Sequence, residues 1–425
     1  MTVEDLIRRR DRYLGKGAPL FYSSPIHIVR GEGAWLFDAD GKRYVDMYNN
    51  VPCVGHANPY VVEAMHKQAA TLNVHSRYLH EGVVDFAQRL VGLHHESIQS
   101  VVFSCTGTEA NEVAMTMARI ATNGQGFICT DAAYHGNSQQ VGQLSRVPVD
   151  QTQHKNIRSI PFPQLYRPLA KDVSEADLTA LYLAKVARAI EGFRDDDIPF
   201  AGMLVCPLLA NEGLPDIPAG FMHQAASMVR DAGGLFIIDE VQSGYCRSGQ
   251  WWGYEVMNVV PDIVTMGKPM GNGLPLAAVA APRDMVEQYR ARARYFNTFA
   301  STPLQAAVGM AVLDVIEQES LASRAAELGQ YLRTELSAMV QACPHLAEVR
   351  GYGLFIGLEW VVDKQSKEPD REGAVALVDA MKDKGFLMSN AGAMGNVVKI
   401  RPPLVFDKAQ GDAFLQAMEE TLKTV

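Results

Sequence analysis

Lys268 follows an apolar run, Ile263–Met266, and is enclosed by Gly267, Gly271 and Gly273. A lysine at the end of a buried strand sheds hydration, which lowers its pKa and lets the neutral amine condense with a carbonyl. Asp239 lies 29 residues earlier, after the apolar run Leu235–Ile238, and opens the stretch Asp239-Glu240-Val241-Gln242. A buried carboxylate needs a cationic or protonated partner. A metal ion would serve, and so would a cationic ring nitrogen. No His or third acid stands nearby at metal spacing, which favours the nitrogen.

Two further clusters accompany them. Thr106-Gly107-Thr108 follows the run Val101–Ser104 and precedes good helix formers from Glu112 to Ala121. Such a turn makes a phosphate cradle: glycine admits close backbone approach, and a helix N-terminus offers unpaired N–H groups. The same turn also reads as an ordinary N-cap, and it lacks the nucleotide P-loop pattern. Tyr134, in Tyr134-His135-Gly136-Asn137, follows another apolar run and suits either stacking on a planar ligand or a plain surface loop. The stretch Tyr295–Pro303 precedes a strongly helical segment and reads on its own as a capping loop.

These residues need a scaffold. Residues 1–17 form an amphipathic pattern with Leu6, Ile7 and Leu14 as apolar positions. Trp35–Phe37 and Tyr44–Met47 flank Asp40-Gly41, a hairpin signal. Beyond residue 55, apolar runs at Val101–Ser104, Gly126–Cys129, Ala201–Cys206, Leu235–Ile238 and Ile263–Met266 alternate with helical stretches. That alternation predicts a largely parallel sheet covered by helices on both faces. From residue 306 the pattern becomes α+β: helices near 304–318 and 320–342, strand character over Val349–Trp360 and Val397–Ile400, and a last helix near 408–423. The expected organisation is an N-terminal segment (1–54) packing with the small domain, a large domain (55–305) and a small C-terminal domain (306–425).

The chain has 425 residues, 39 Lys plus Arg against 48 Asp plus Glu, and a net charge of −9. That balance argues against a nucleic-acid partner. No apolar stretch approaches the roughly 18 residues of a membrane span. The N-terminus lacks an apolar signal core. Cys53, Cys105, Cys129, Cys206, Cys246 and Cys343 are scattered, without a CxxC. Scattered cysteines in a long chain suit reduced thiols in the cytoplasm.

A phosphate cradle, a stacking aromatic, a strand-end Asp and a lysine, in that order, are the parts of a pyridoxal 5′-phosphate site. On these residues the chain resembles the class III aminotransferases of the fold-type I pyridoxal-phosphate enzymes, from about Leu20 to the C-terminus. The resemblance implies an α/β fold with a mostly parallel, seven-stranded central sheet and a smaller α+β C-terminal domain. It places Thr106, Gly107 and Thr108 at the cofactor phosphate, and Tyr134 over the ring with a catalytic role. His135 and Glu212 join the cofactor contacts. Asp239 partners the ring nitrogen, Val241 packs on the opposite ring face, and Gln242 lies near the ring hydroxyl. Lys268 is the Schiff-base lysine, and Thr298 reaches the phosphate of a neighbouring subunit. A homodimer with shared sites follows, with a tetramer as the larger alternative.

The sequence also departs from the family. Ala300-Ser301-Thr302 stands where Gly-Gly-Asn is common, and Cys206-Pro207 where Glu-Pro is frequent. Asn49-Asn50-Val51, Arg77-Tyr78-Leu79-His80 and the surroundings of Lys268 look most like the ethanolamine-phosphate phospho-lyase and alanine–glyoxylate aminotransferase branch. Lys399 occupies the place of a carboxylate-gripping arginine, and Arg401 adds a second cation. Residues two apart on a strand share a face. The pair is either an anion pocket or two charges on an edge strand. Substrate-site candidates are therefore Arg401, Lys399, Tyr22, Asn50 and His75. The expected activity is transfer of an amino group from a primary amine or amino acid to a keto acid such as pyruvate. The alternative is a phospho-lyase or ammonia-lyase acting on an amino-alkyl phosphate or phosphonate.

Overall fold

The computed structural model describes residues 2–148 and 154–424. The N-terminal amphipathic pattern becomes a helix, Val3–Leu14, started by Thr2 and Asp5 in a reciprocal capping box. Three strands follow: β1 (Ile28–Glu32), β2 (Trp35–Asp38) and β3 (Arg43–Asp46). The Asp40-Gly41 turn joins β2 to β3 as the hairpin signal predicts, with Gly41 at positive φ.

Seven strands then build the central sheet. They are β4 (Ser100–Ser104), β5 (Gly126–Thr130), β6 (Ile157–Ile160), β7 (Phe200–Val205), β8 (Leu235–Asp239), β9 (Ile263–Met266) and β10 (Ala277–Ala281), in spatial order β4-β10-β9-β8-β7-β5-β6. β10 alone runs antiparallel, between β4 and β9. Every residue of β5, β9 and β10 is buried, which explains continuous apolar runs in place of alternation. β10 was not among the expected strands, because four of its five residues are alanine, a weak strand former. It fits by virtue of that smallness, closed in by its two neighbours.

The C-terminal region adds β11 (Leu346–Tyr352), β12 (Phe355–Trp360), β13 (Phe386–Leu387), β14 (Ser389–Ala391) and β15 (Val397–Ile400). The strand character over Val349–Trp360 resolves into two strands folded back on each other around Gly353-Leu354. Their sheet runs β11-β12-β15-β14. β15 is therefore an interior strand, and Lys399 and Arg401 are buried, 4% and 5% exposed. The edge-strand alternative for these two cations does not hold. β13 leaves that region and pairs in parallel with β3, Phe386 opposite Val45, so the N-terminal hairpin and the C-terminal region share a sheet. Among the described residues no helix is long and apolar enough to cross a membrane.

One close approach holds the β11–β12 turn. A Cβ on Gly329, in the helix Leu321–Met339, would lie 2.0 Å from the Gly353 carbonyl oxygen. Backbone cannot yield as a flexible side-chain tip does. Gly329→Ala is expected to cost about 1–3 kcal/mol, as overpacking does, and to lower the urea midpoint. An unchanged midpoint would show that helix and turn are not in contact.

Candidate functional site

Parallel α/β sheets bind ligands outside the carboxyl ends of their strands. Here β4, β5, β7, β8 and β9 all deliver residues to that edge. Gly107 and Thr108 follow β4, Tyr134, His135 and Gly136 follow β5, and Cys206 and Asn211 follow β7. Asp239, Val241 and Gln242 come from β8, and Lys268 follows β9. Together they line one cavity of about 120 Å³, open on one side.

Asp239 is buried, yet its carboxyl is held below the usual range. Burial alone would raise it. The His135 hydrogen bond and charge outweigh that, helped by N–H donors from Val241 and Asn111. His135 Nδ1 lies 2.7 Å from Oδ2, Asn111 Nδ2 3.0 Å from the same oxygen, and the Val241 amide 3.0 Å from Oδ1. Asn111 has one permissible orientation. Its amino group faces two pure acceptors, Asp239 and the His135 carbonyl, while its oxygen accepts the Thr265 hydroxyl at 2.7 Å. Thr265 is Asp239's register partner on β9. Glu240, the acid next in sequence, turns the other way. Ser243 Oγ and the Tyr254 amide hold it, and burial pushes it up to about 7.

Lys268 keeps exposed surface because it faces the open cavity, while the surrounding protein strips its hydration. Its pKa is lowered, by desolvation first and by the Arg401 charge, against the opposing pull of Asp239.

The phosphate turn is built from close contacts. Thr106 caps the helix Gly107–Thr122: its hydroxyl accepts from the Glu109 amide at 3.1 Å. Glu109 folds back onto the Cys105 and Thr106 amides, at 2.7 and 3.1 Å, which occupies the one acid at this helix start. Thr106 is thus a cap outside the cavity lining, while Gly107 and Thr108 line it. A Cβ on Gly107 would reach Val241 at 2.9 Å, and one on Gly136 would meet Thr108 Oγ1 at 2.5 Å. Only glycine leaves this cradle open. An anion-ready helix start, an ionised Asp239 and a deprotonation-prone Lys268 fit pyridoxal 5′-phosphate.

The remaining expected residues fall elsewhere. Glu212 is buried beside the site, bonded to the Thr130 hydroxyl and to the Asn211 amide. Arg401 donates to Gln242 Oε1 and to the Tyr48 carbonyl. Lys399 donates to the Ala210 carbonyl. Asn50 is buried between the Gln242 carbonyl (2.9 Å) and Arg247 Nε (3.1 Å). The Tyr22 hydroxyl is spent on the Met388 carbonyl. His75 packs against Tyr78 and edge-on against Phe296, and does not line the cavity. Thr298 is exposed and outside the lining.

Asn111 and Asn211 emerge as additions. Asn211 donates to the Tyr134 carbonyl at 3.0 Å and accepts from Gln242 Nε2 at 3.1 Å. Asn111 stands three residues after Thr108 on the helix that the phosphate turn opens, and that nearness was the available signal. Asn211 had none, since its role depends on a loop path.

A family model described as Aminotransferase class-III matches residues 21–422. The chain is similar to a Drosophila melanogaster protein named alanine–glyoxylate aminotransferase 2-like. The two are 36% identical over 435 residues, covering 100% of this chain and 88% of that one. An Arabidopsis thaliana relative, named alanine–glyoxylate aminotransferase 2 homolog 2, mitochondrial, is 34% identical over 99% of this chain and 88% of its own. A solved phospholyase from Arthrobacter, in complex with phosphoethanolamine, superposes with a TM-score of 0.95 at 38% identity. That match covers 99% of this chain and 100% of that one.

Replacing His135 by Phe removes the strongest support of the Asp239 charge. Turnover is expected to fall about 10–100-fold, the equivalent of one charged hydrogen bond of about 1.5–3 kcal/mol, with the fold retained by circular dichroism. Turnover equal to wild type would take His135 out of this network.

Proposed function

The chain belongs to the aminotransferase class-III family, and we propose that Lys268 and Asp239 carry its chemistry from opposite sides of one cofactor site. It is a pyridoxal-phosphate enzyme of the fold-type I architecture. Its reaction transfers an amino group from a primary amine or amino acid to a keto acid such as pyruvate. Bound pyridoxal 5′-phosphate supplies an aldehyde that condenses with amines and a ring that accepts electrons from the carbon beside the nitrogen.

The chain's own residues do the rest. Gly107 and Thr108 hold the phosphate at the helix start, with Thr106 fixing that turn. Tyr134 and Val241 wall the cavity from two sides, and Gln242 orients the polar edge. Asp239, kept ionised, stabilises a proton on the ring nitrogen. Lys268 Nζ, with its lowered pKa, would take a proton from the amine-bearing carbon of a bound substrate and return it during transfer. Arg401, buried beside Gln242, is the proposed anchor for an anionic group on the substrate. The observation that carries this reading is a desolvated lysine and an ionised, buried carboxylate lining one cavity.

An assembly of two copies is supported by the exposed surface. Leu72, Tyr78, Leu79, Phe296 and Phe299 are exposed on two adjoining segments, with Arg77 stacked 4.2 Å over the Phe296 ring. Such a patch marks an interface. Thr298 sits within it, available to a second copy, and supports a homodimer with shared sites. Six free cysteines fit a reducing compartment, proposed as the cytoplasm.

A second reading is favoured by one observation, the likeness to the Arthrobacter phospholyase: elimination of phosphate from an amino-alkyl phosphate. A single-turnover visible spectrum separates the two. Amine donors such as β-alanine or L-alanine are expected to bleach the holoenzyme's cofactor band, and pyruvate to restore it. A persistent band with phosphate accumulating from phosphoethanolamine would replace transamination with elimination. Lys268→Ala is expected to abolish turnover and the lysine-linked band; retained turnover would remove Lys268 from its role. Light scattering is expected to give at least a dimer, and an active monomer would contradict the place given to Thr298.

A further inference from the structure

The segment between β7 and residue 216 brings Asn211 and Glu212 to the site without regular structure of its own. Leu209 and Leu214 within it adopt positive φ, 47° and 55°, a region that branched side chains avoid. Such a path persists only where its surroundings over-determine it. The surroundings come from the C-terminal sheet. Arg350 on β11 pairs with Gly357 on β12, and Gly357 pairs with Lys399 on β15, so the three form one rung across the sheet. Directly opposed residues point to the same face. On that face Arg350 donates to the Gly213 and Leu214 carbonyls, at 2.9 and 3.0 Å. Lys399 donates to the Ala210 carbonyl. Between the two cations, a Cβ on Gly357 would lie 3.1 Å from the Gly213 carbonyl oxygen.

We propose that the rung Arg350–Gly357–Lys399 is the seat of the Asn211–Glu212 loop, and that Lys399 is a positioning residue acting through that loop rather than a cation that reads substrate charge. The three carbonyls gripped flank Asn211 and Glu212 on both sides. Through Asn211 the seat reaches the Tyr134 carbonyl and the Gln242 amide, two walls of the cavity. Arg350 is itself held by Glu359 at 2.6 Å and Glu348 at 2.8 Å, so one end of the seat is a buried ion network. Burial first, and then the Arg401 charge, pull Lys399 down to about 7. Charge-reading is a poor use for such an amine, whereas an N–H to a carbonyl is available in either protonation state.

The inference rests on the proposed cofactor site, and its test has an arm that does not. In the apoprotein, hydrogen exchange of the amides in 206–214 is compared between wild type, Lys399→Met and Gly357→Ala. The second variant alters the seat by a few tenths of an ångström without touching a charge. Exchange is expected to rise about tenfold or more in both. In the holoenzyme, Lys399→Met is expected to lower kcat by one common factor for β-alanine and for an uncharged arylalkylamine. Unchanged exchange would overturn the seat. A KM increase confined to β-alanine would make Lys399 a substrate cation and overturn its positioning role. Failure of transamination would leave the apoprotein result standing and would strike only the proposed function.

Discussion

The site depends on keeping one buried carboxylate ionised. Burial works against the charge on Asp239, and the fold answers with three donors from three different segments. His135 comes from the loop after β5, Asn111 from the helix that starts at the phosphate turn, and the Val241 amide from Asp239's own turn. Thr265 on β9 orients Asn111. The charge thus exists only where four neighbouring elements of the sheet layer meet in register. Such a carboxylate would hold a proton on a cationic ring nitrogen placed against it.

Opposite it, Lys268 is handled in the reverse sense. The walls strip its hydration and Arg401 adds a like charge, so the amine gives up its proton more readily than a solvated lysine does. One strand neighbour therefore holds charge and the next sheds it. Strand-end turns can hold such different environments side by side because successive side chains leave the sheet in different directions. Glu240, adjacent to Asp239 and buried as well, turns away to Ser243 and Tyr254, and burial pushes its carboxyl up to about 7.

Much of this was legible in the chain itself. The strands carrying Asp239 and Lys268 are buried on both faces, so they read as apolar runs ending in polar residues, and the glycines around Lys268 mark a turn. Other parts were not. β10 hid behind alanines, whose fit comes from tight neighbours and not from propensity. The hairpin of β11 and β12 read as one strand because only Gly353 and Leu354 separate the two. Lys399 and Arg401 share a face as their spacing requires, but their burial depends on which strand lies outside them, and spacing carries no such information. Asn211 acquires its place from a loop path set by residues about 140 and 190 positions away, Arg350 and Lys399.

The parallel pairing of β3 with β13 also orders events in time. Val45 emerges from the ribosome early, and Phe386, its partner, some 340 residues later. Long-range pairings of this kind close slowly and late. Until synthesis passes residue 387, the N-terminal hairpin has one unpaired edge, although the central sheet's strands have all been made. Arg401, whose amide bonds the Met47 carbonyl, arrives in the same final stretch. A nascent chain therefore holds Asp239 and Lys268 well before it holds the cation beside them, and a chain stopped short of residue 401 would carry the pair without it.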